Sequence, residues 1–192
     1  GPGTPGPGLS PTPVTTADVR MTDTVGGQMG SLRLGSLFEI VPDDAAALEL
    51  LTAVLSDRLG QDLRETRGLS YSVGASVGIH GNRAGLTAWL NPPTPRLAEG
   101  EEALVDAVRN FDAATVTQEE LDKIRNAREG RLMMRRLSSI AQAYYLAMAE
   151  LDGNVGGYMD VFARYDAVTL VDLVRVGSAY FSGRSYVTVV VD

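Results

Sequence analysis

Between Leu48 and Leu90 the spacing of apolar residues changes once, and Gly68 sits at the change. Upstream, Leu48, Leu51, Leu55, Leu59 and Leu63 recur at intervals of three and four, the period of an amphipathic helix. Downstream, Leu69, Tyr71, Val73, Ala75, Val77 and Ile79 alternate with Ser70, Ser72, Gly74, Ser76 and Gly78, the period of a strand with one apolar face. Glycine tolerates the backbone angles that end a helix. The spacing therefore predicts a helix that stops at Arg67 and a strand over 69–79. Gly81-Asn82 is a hairpin signal, and Leu86, Ala88 and Leu90 form the apolar set of a returning strand.

The flanks extend this frame. Residues 29–41 alternate as a further strand, and Pro42-Asp43-Asp44 starts the helix that follows, with carboxylates where the helix dipole favours them. Pro92-Pro93 stops the hairpin, and Thr94-Pro95 reads as a helix start with Thr94 as N-cap. Thr117-Gln118-Glu119-Glu120 fits a capping box that opens a long helix to Leu151. Glycines at 153, 156 and 157 break it, a helix around 158–165 follows, and Val168-Thr169 with Asp172 starts the last one. Val187 to Val191 is a final strand. A hairpin with helices gathered after it implies an α+β fold, an antiparallel sheet with helices packed on one face. Residues 1–27 read as a Pro/Gly-rich linker or tail, the opening Gly-Pro as a possible scar of tag removal, and 28–192 as one domain.

Composition excludes several chemistries. No cysteine is present, so there is no disulfide, thiolate zinc site or cysteine nucleophile. His80 is the only histidine, one short of the two that a zinc site with a carboxylate needs. Its place beside Gly81-Asn82 makes it a water-exposed turn residue. A formal charge of −7 argues against general nucleic-acid binding. No apolar run approaches the roughly 20 residues that span a bilayer.

The stretch Leu63-Arg64-Glu65-Thr66-Arg67-Gly68-Leu69-Ser70-Tyr71-Ser72-Val73 holds the sharpest chemical pattern. Read from the residues alone, Arg64 complements the dipole of a last helical turn and Tyr71 is an ordinary strand aromatic. The same stretch resembles the substrate-binding Arg/Tyr motif of the pitrilysin/insulysin family of zinc metallopeptidases, which includes the mitochondrial processing peptidases. Members are built from homologous halves, one carrying the inverted motif His-x-x-Glu-His and the other the Arg/Tyr pair. The resemblance, from about Gly30 to Val191, is to the second half. It implies the same α+β half-domain and a chamber closed with a zinc-bearing half. There Arg64 and Tyr71 would hold the substrate peptide near the scissile bond. Tyr71 would be the catalytic contributor, donating to the scissile carbonyl in trans. Zinc would belong to the partner half, with no metal or other cofactor in this chain. A structural or assembly subunit, or a partner-binding domain that has kept only the fold, is the alternative reading. No activity is expected of the chain alone, and the expected setting is the bacterial cytoplasm or periplasm, away from membranes and nucleic acids.

Strict alternation places Tyr71 on the face of Leu69 and Val73, which should pack on helices. Either a bend at Gly68 turns it outward, or the site forms at the strand's end, where both faces are open. Two further features invite function. The small residues Ser70, Ser72, Gly74, Ser76 and Gly78 make either a solvent-facing sheet surface or the wall of a chamber. Arg125, Arg128, Arg131, Arg135 and Arg136 form a basic stripe, either a solvated helix face or a contact for a peptide or acidic partner.

Overall fold

A computed structural model of the chain describes residues 12–151, 153 and 155–192. Five strands form one sheet: β1 (Val19–Asp23), β2 (Ser31–Glu39), β3 (Val73–His80), β4 (Arg83–Leu90) and β5 (Val187–Val191). Their spatial order is β1-β5-β2-β4-β3. Every neighbouring pair is antiparallel except β1 with β5, which run parallel. The helices are α1 (Ala45–Leu59), α2 (Leu97–Arg109), α3 (Gln118–Arg135), α4 (Ser139–Leu151), α5 (Val155–Met159), α6 (Val161–Asp166) and α7 (Leu170–Tyr180). The fold is α+β, as the hairpin and the helix count imply.

Alternation in the strands decides which face the helices cover. In β2, Leu32, Leu34, Ser36 and Phe38 are buried; in β4, Ala84, Leu86, Ala88 and Leu90 are. The register sets Leu34 opposite Ala88, Ser36 opposite Leu86 and Phe38 opposite Ala84, so large side chains face small ones over most of the core face, with Leu32 opposite Leu90 at its end. The leucines of α1 meet this face, and Leu50 and Val54 on its other side are equally buried. This makes α1 the central helix, with the sheet on one side and α7 and α3 among its neighbours. A helix buried nearly all round must be apolar nearly all round.

Helix starts follow local chemistry. Both capping boxes form: Thr117 with Glu120 at α3, and Thr169 with Asp172 at α7. At α1 a 3-10 turn over Pro42–Asp44 comes first, and Asp44 is buried. Its carboxylate accepts the Tyr180 hydroxyl at 2.7 Å and pairs with Arg175 at 2.6 Å, which ties the start of α1 to α7. Thr94 is not a cap. Its hydroxyl donates to the Gly27 carbonyl at 2.7 Å, and a 3-10 turn from Thr94 precedes α2.

Three elements depart from the sequence expectation. Within the segment read as a tail, Val19–Asp23 is an edge strand. Its side chains are all exposed, so no buried periodicity marks it. It is held by its backbone pairing with β5, by Asp18, which accepts the Tyr186 N–H at 2.8 Å, and by the Arg20–Glu101 ion pair. The first eleven residues of the segment read as a linker or tail lie outside the described ones. The long helix from Gln118 stops at Arg135, and α4 begins after Ser138, whose hydroxyl faces the Ala141 N–H at 3.5 Å. Serine competes for helix ends in this way. Third, β3 starts at Val73 rather than Leu69.

Glu120 links the capping box to α1. Arg58 of α1 donates to both of its oxygens, at 2.9 and 3.0 Å. These bonds, helped by the Thr117 N–H, pull the carboxyl from an ordinary 4.5 to about 2. A depressed carboxyl stabilises the fold above its unfolded value and loses that contribution as pH falls through its folded value. Glu120→Gln keeps a capping side chain but loses the ion pair. It is expected to lower stability by about 1 kcal/mol at pH 7, modest because both side chains keep solvent contact. The difference should vanish as pH falls towards about 2. Thermal melts of both proteins from pH 7 downward test this, and a gap that persists in acid would overturn it.

Candidate functional site

The stretch 59–73 is where the chain passes from helix to sheet. After Leu59 the helix widens into a π-type segment over Gly60–Thr66. Gly68 ends it with φ of +57°. The Leu69 N–H returns to the Leu63 carbonyl at 2.8 Å and the Gly68 N–H to the Arg64 carbonyl at 3.2 Å. Each bond reaches one residue further back than in the usual glycine-ended helix, as a π-type turn requires. Leu63 and Leu69 are both fully buried and anchor the two sides of the turn.

Between Leu69 and Val73 the backbone bends instead of extending. Ser70 sets the bend. Its buried hydroxyl donates to the Asn91 carbonyl at 2.6 Å and accepts the Ser72 N–H at 3.0 Å. The Asn91 N–H in turn bonds the Ser72 carbonyl at 3.0 Å. Arg96 holds the turn from outside, donating to the Gly68 carbonyl at 3.1 Å. Tyr71 sits at the tip of this bend and is 96% exposed. The open choice between bend and strand end resolves to a bend, three residues beyond Gly68 and fixed by Ser70.

Arg64 lies on the outer side of the π-type turn with its side chain half exposed. Its Nε donates to Glu65 at 2.8 Å. The guanidinium lies back over Gly60 and borders a groove of about 380 Å³ between α1, β3 and α3. Tyr71 is not among the groove's lining residues, and no described hydrogen bond joins it to Arg64. The two therefore occupy one turn but face different spaces. Chemically the pair offers a forked cation and a phenolic donor, both able to meet peptide carbonyls.

The groove is polar and internally paired. Glu49 pairs with Arg128 at 2.9 Å, and Asp57 with Lys123 at 2.8 Å. Tyr165 donates to Glu49, and burial followed by that carboxylate pushes its hydroxyl up to about 12. Ser56 accepts the Ala75 N–H at 3.0 Å on the open edge of β3. These residues do not fit a zinc ion. Both carboxylates are committed to cations, no histidine is near, and no group of three potential ligands exists among the described residues. His80 ends β3 at the exposed turn. Dialysed chain is expected to carry far less than one zinc per molecule by elemental analysis. A 1:1 content lost on His80→Ala would refute this.

The two secondary candidates divide. The small residues do not form one wall. Ser70 is the buried latch, and Gly74 lies beneath Trp89, where an added Cβ would come within 2.8 Å of the ring. Only Ser76 and Gly78 remain open to solvent on the sheet. The basic stripe is largely structural. Arg125 donates to the carbonyls of Tyr165 and Val168, Arg128 pairs with Glu49, and Arg136 stacks on Tyr158 and Phe162. Arg131 alone of the five lines the groove without a described ion pair, since Arg128 is engaged there. Sequence reasoning missed the roles of Ser70 and Arg96. The one signal for Ser70 was a small polar residue two positions after Gly68, too common to single out.

An α+β half-domain with helices on one face of its sheet, presenting an outward Arg and Tyr on one turn, is the class these features define. The family model for the peptidase M16 inactive domain matches residues 2–128, and the chain belongs to that family. Comparison with functionally curated proteins finds no match. Among solved structures it is similar to a peptidase M16 inactive domain from Pseudomonas fluorescens, at 22% identity and a TM-score of 0.76 over 97% of this chain and 47% of that one. A protease from Helicobacter pylori matches at 20% identity and 0.74, over 90% of this chain and 44% of that one. The periplasmic protease PqqL from Escherichia coli matches at 14% and 0.71, over 97% of this chain and 22% of that one. At these identities the likeness is one of fold. The chain spans less than half the length of each of these relatives. No helix among the described residues is long and apolar enough to cross a membrane.

Proposed function

We propose that this chain is the zinc-free, substrate-binding half of a pitrilysin-like metallopeptidase and works paired with a homologous zinc-bearing half. In this reading Arg64 grips the backbone of an extended peptide. Tyr71 donates its hydroxyl to the scissile carbonyl oxygen, where negative charge grows in the transition state. The observation that carries the reading is the exposure of Tyr71. An aromatic that is 96% exposed at the tip of a bend held by Ser70, Asn91 and Arg96 has no packing role in its own domain. Burying a tyrosine ring is favourable, so a rigid turn that forgoes this burial is explained by use outside the domain. The length of the three relatives named above supports the pairing, since each of those three has room for at least one more half-domain.

The test mixes this chain with a candidate His-x-x-Glu-His half and assays a quenched peptide library. Cleavage that needs both chains supports the reading. Full cleavage by the zinc half alone would overturn it. Arg64→Ala in the mixture is expected to raise KM and to lower kcat/KM, because its contact is made to bound substrate as well as to the transition state. An unchanged KM with that variant would remove Arg64 from the substrate contacts.

A further inference from the structure

The groove that Arg64 borders carries an excess of positive charge. The anions that line it are Glu49 and Asp57, and the cations are Arg64, Lys123, Arg128 and Arg131. Both carboxylates are already engaged. Glu49 holds Arg128 at 2.9 Å and also accepts the Tyr165 hydroxyl. Asp57 holds Lys123 at 2.8 Å and accepts the Gln61 side-chain amide at 3.1 Å. Arg64 donates its Nε–H to Glu65, which is not part of the lining, and its two Nη groups make no described hydrogen bond. Arg131 is exposed and makes no described hydrogen bond or ion pair. Two forked guanidinium groups therefore face one cleft with donors to give and no carboxylate there to accept them.

The rest of the lining leaves charge as what the groove offers a ligand. Its floor is the outer edge of β3, where Ser56 already accepts the Ala75 N–H at 3.0 Å. Ala53, Gly60 and Ala127 are small and keep the space open. A volume of about 380 Å³ lies within the size range of ligand-holding clefts. A cleft lined with an excess of one sign of charge focuses the field inside it. A guanidinium fork meets a carboxylate through two parallel bonds, whereas an amide offers a single oxygen and a lysine is repelled. The positive charge is also local. The chain as a whole stands at −7, so an acidic ligand is repelled by the average surface and attracted only here.

We propose that this groove selects the substrate: it takes an acidic side chain of the peptide, whose carboxylate is held by Arg131 with Arg64 adding its charge. Arg131 is then a specificity-determining residue. The inference rests on the reading that Arg64 holds the substrate peptide beside Tyr71. It adds the chemical class of that peptide, one with Asp or Glu close along the chain to the residue that Arg64 holds. Tyr71 lies outside the groove, so selection and support of the scissile carbonyl are separate tasks.

The test titrates the chain with three fluorescent, extended peptides that are identical except for a central pair of Glu, Gln or Lys residues. Anisotropy at low salt is expected to show the Glu peptide binding at least about fivefold more tightly than the Gln peptide, with the Lys peptide weakest. Net charge alone predicts the opposite order. Arg131→Glu is expected to remove the preference. Arg135→Glu, an equal change of charge on the same helix outside the groove, is expected to keep it. Both side chains are exposed, so the melts of the two variants should stay close to wild type. Equal binding of the Glu and Gln peptides, a preference that survives Arg131→Glu, or one that Arg135→Glu removes as well would each overturn the proposal. In the mixture with a candidate His-x-x-Glu-His half, the same order is expected in kcat/KM, and cleavage indifferent to the three peptides would overturn it too. If no mixture cleaves, the reading of the function falls while the titration still decides the ligand of the groove. The two failures are separable in an active mixture as well. The Tyr71 reading is lost through full activity of Tyr71→Phe, whereas this one is lost through the order of the three peptides, which Tyr71→Phe leaves unchanged.

Discussion

Replacing Tyr71 by Phe is expected to lower kcat of the paired enzyme about a hundredfold, on the order of 3 kcal/mol of barrier. KM should move little, because the lost hydrogen bond is made mainly in the transition state. The melting temperature should not change, because the side chain is 96% exposed and makes no described hydrogen bond. This separates two accounts of the residue. A packed tyrosine would tolerate the loss of its hydroxyl and would destabilise the fold on truncation to alanine by about 3–5 kcal/mol. At the tip of the Ser70 bend, Tyr71→Ala should leave the melt intact as well. Full activity of Tyr71→Phe beside a competent zinc half would remove its role in catalysis.

Leu63→Ala should do the reverse. Leu63 is fully buried one residue before Arg64 and packs the inner side of the turn. Truncation is expected to cost about 2–5 kcal/mol, which for a domain of this size lowers the melting temperature by roughly 4–20 °C. Its neighbour Arg64, half exposed, should change to alanine with almost no thermal effect. Differential scanning calorimetry of the two single variants checks the pair. A Leu63→Ala protein that melts with the wild type would mean that the turn is not held by its buried leucines.

The parts of this fold legible from the amino-acid order are those where one side chain decides one geometry. Gly68 ends the helix because φ is positive there. Thr117 with Glu120 and Thr169 with Asp172 cap helices through bonds between near neighbours. The hairpin at Gly81 and the buried faces of β2 and β4 follow from alternation alone. The Arg/Tyr spacing was legible as a resemblance, but where Tyr71 points was not. Its direction depends on Ser70 reaching the Asn91 carbonyl, a contact between residues 21 positions apart that no local pattern encodes. Val19–Asp23 was hidden for a related reason, since a strand held by backbone pairing with no buried side chain leaves no periodicity to read. The basic stripe looked like a surface because helical spacing gives a residue's face and not what lies opposite. Glu49 and Tyr165, which engage Arg128, come from elsewhere in the chain.

The parallel pairing of β1 with β5 also has a mechanical consequence. Val19 stands opposite Val187 and Asp23 opposite Val191, so the first and last strands run side by side in the same direction. Tension applied between Val19 and Val191 would pull the strands along their length in opposite senses. The hydrogen bonds of the ladder, evenly spaced in a parallel pair, would then carry the load together and not break one after another from an end. A hairpin edge pulled from its two open ends would unzip bond by bond. This domain is therefore built to resist stretching along the line joining its first and last strands, and it would yield more readily to a pull across β3, whose outer edge no strand supports.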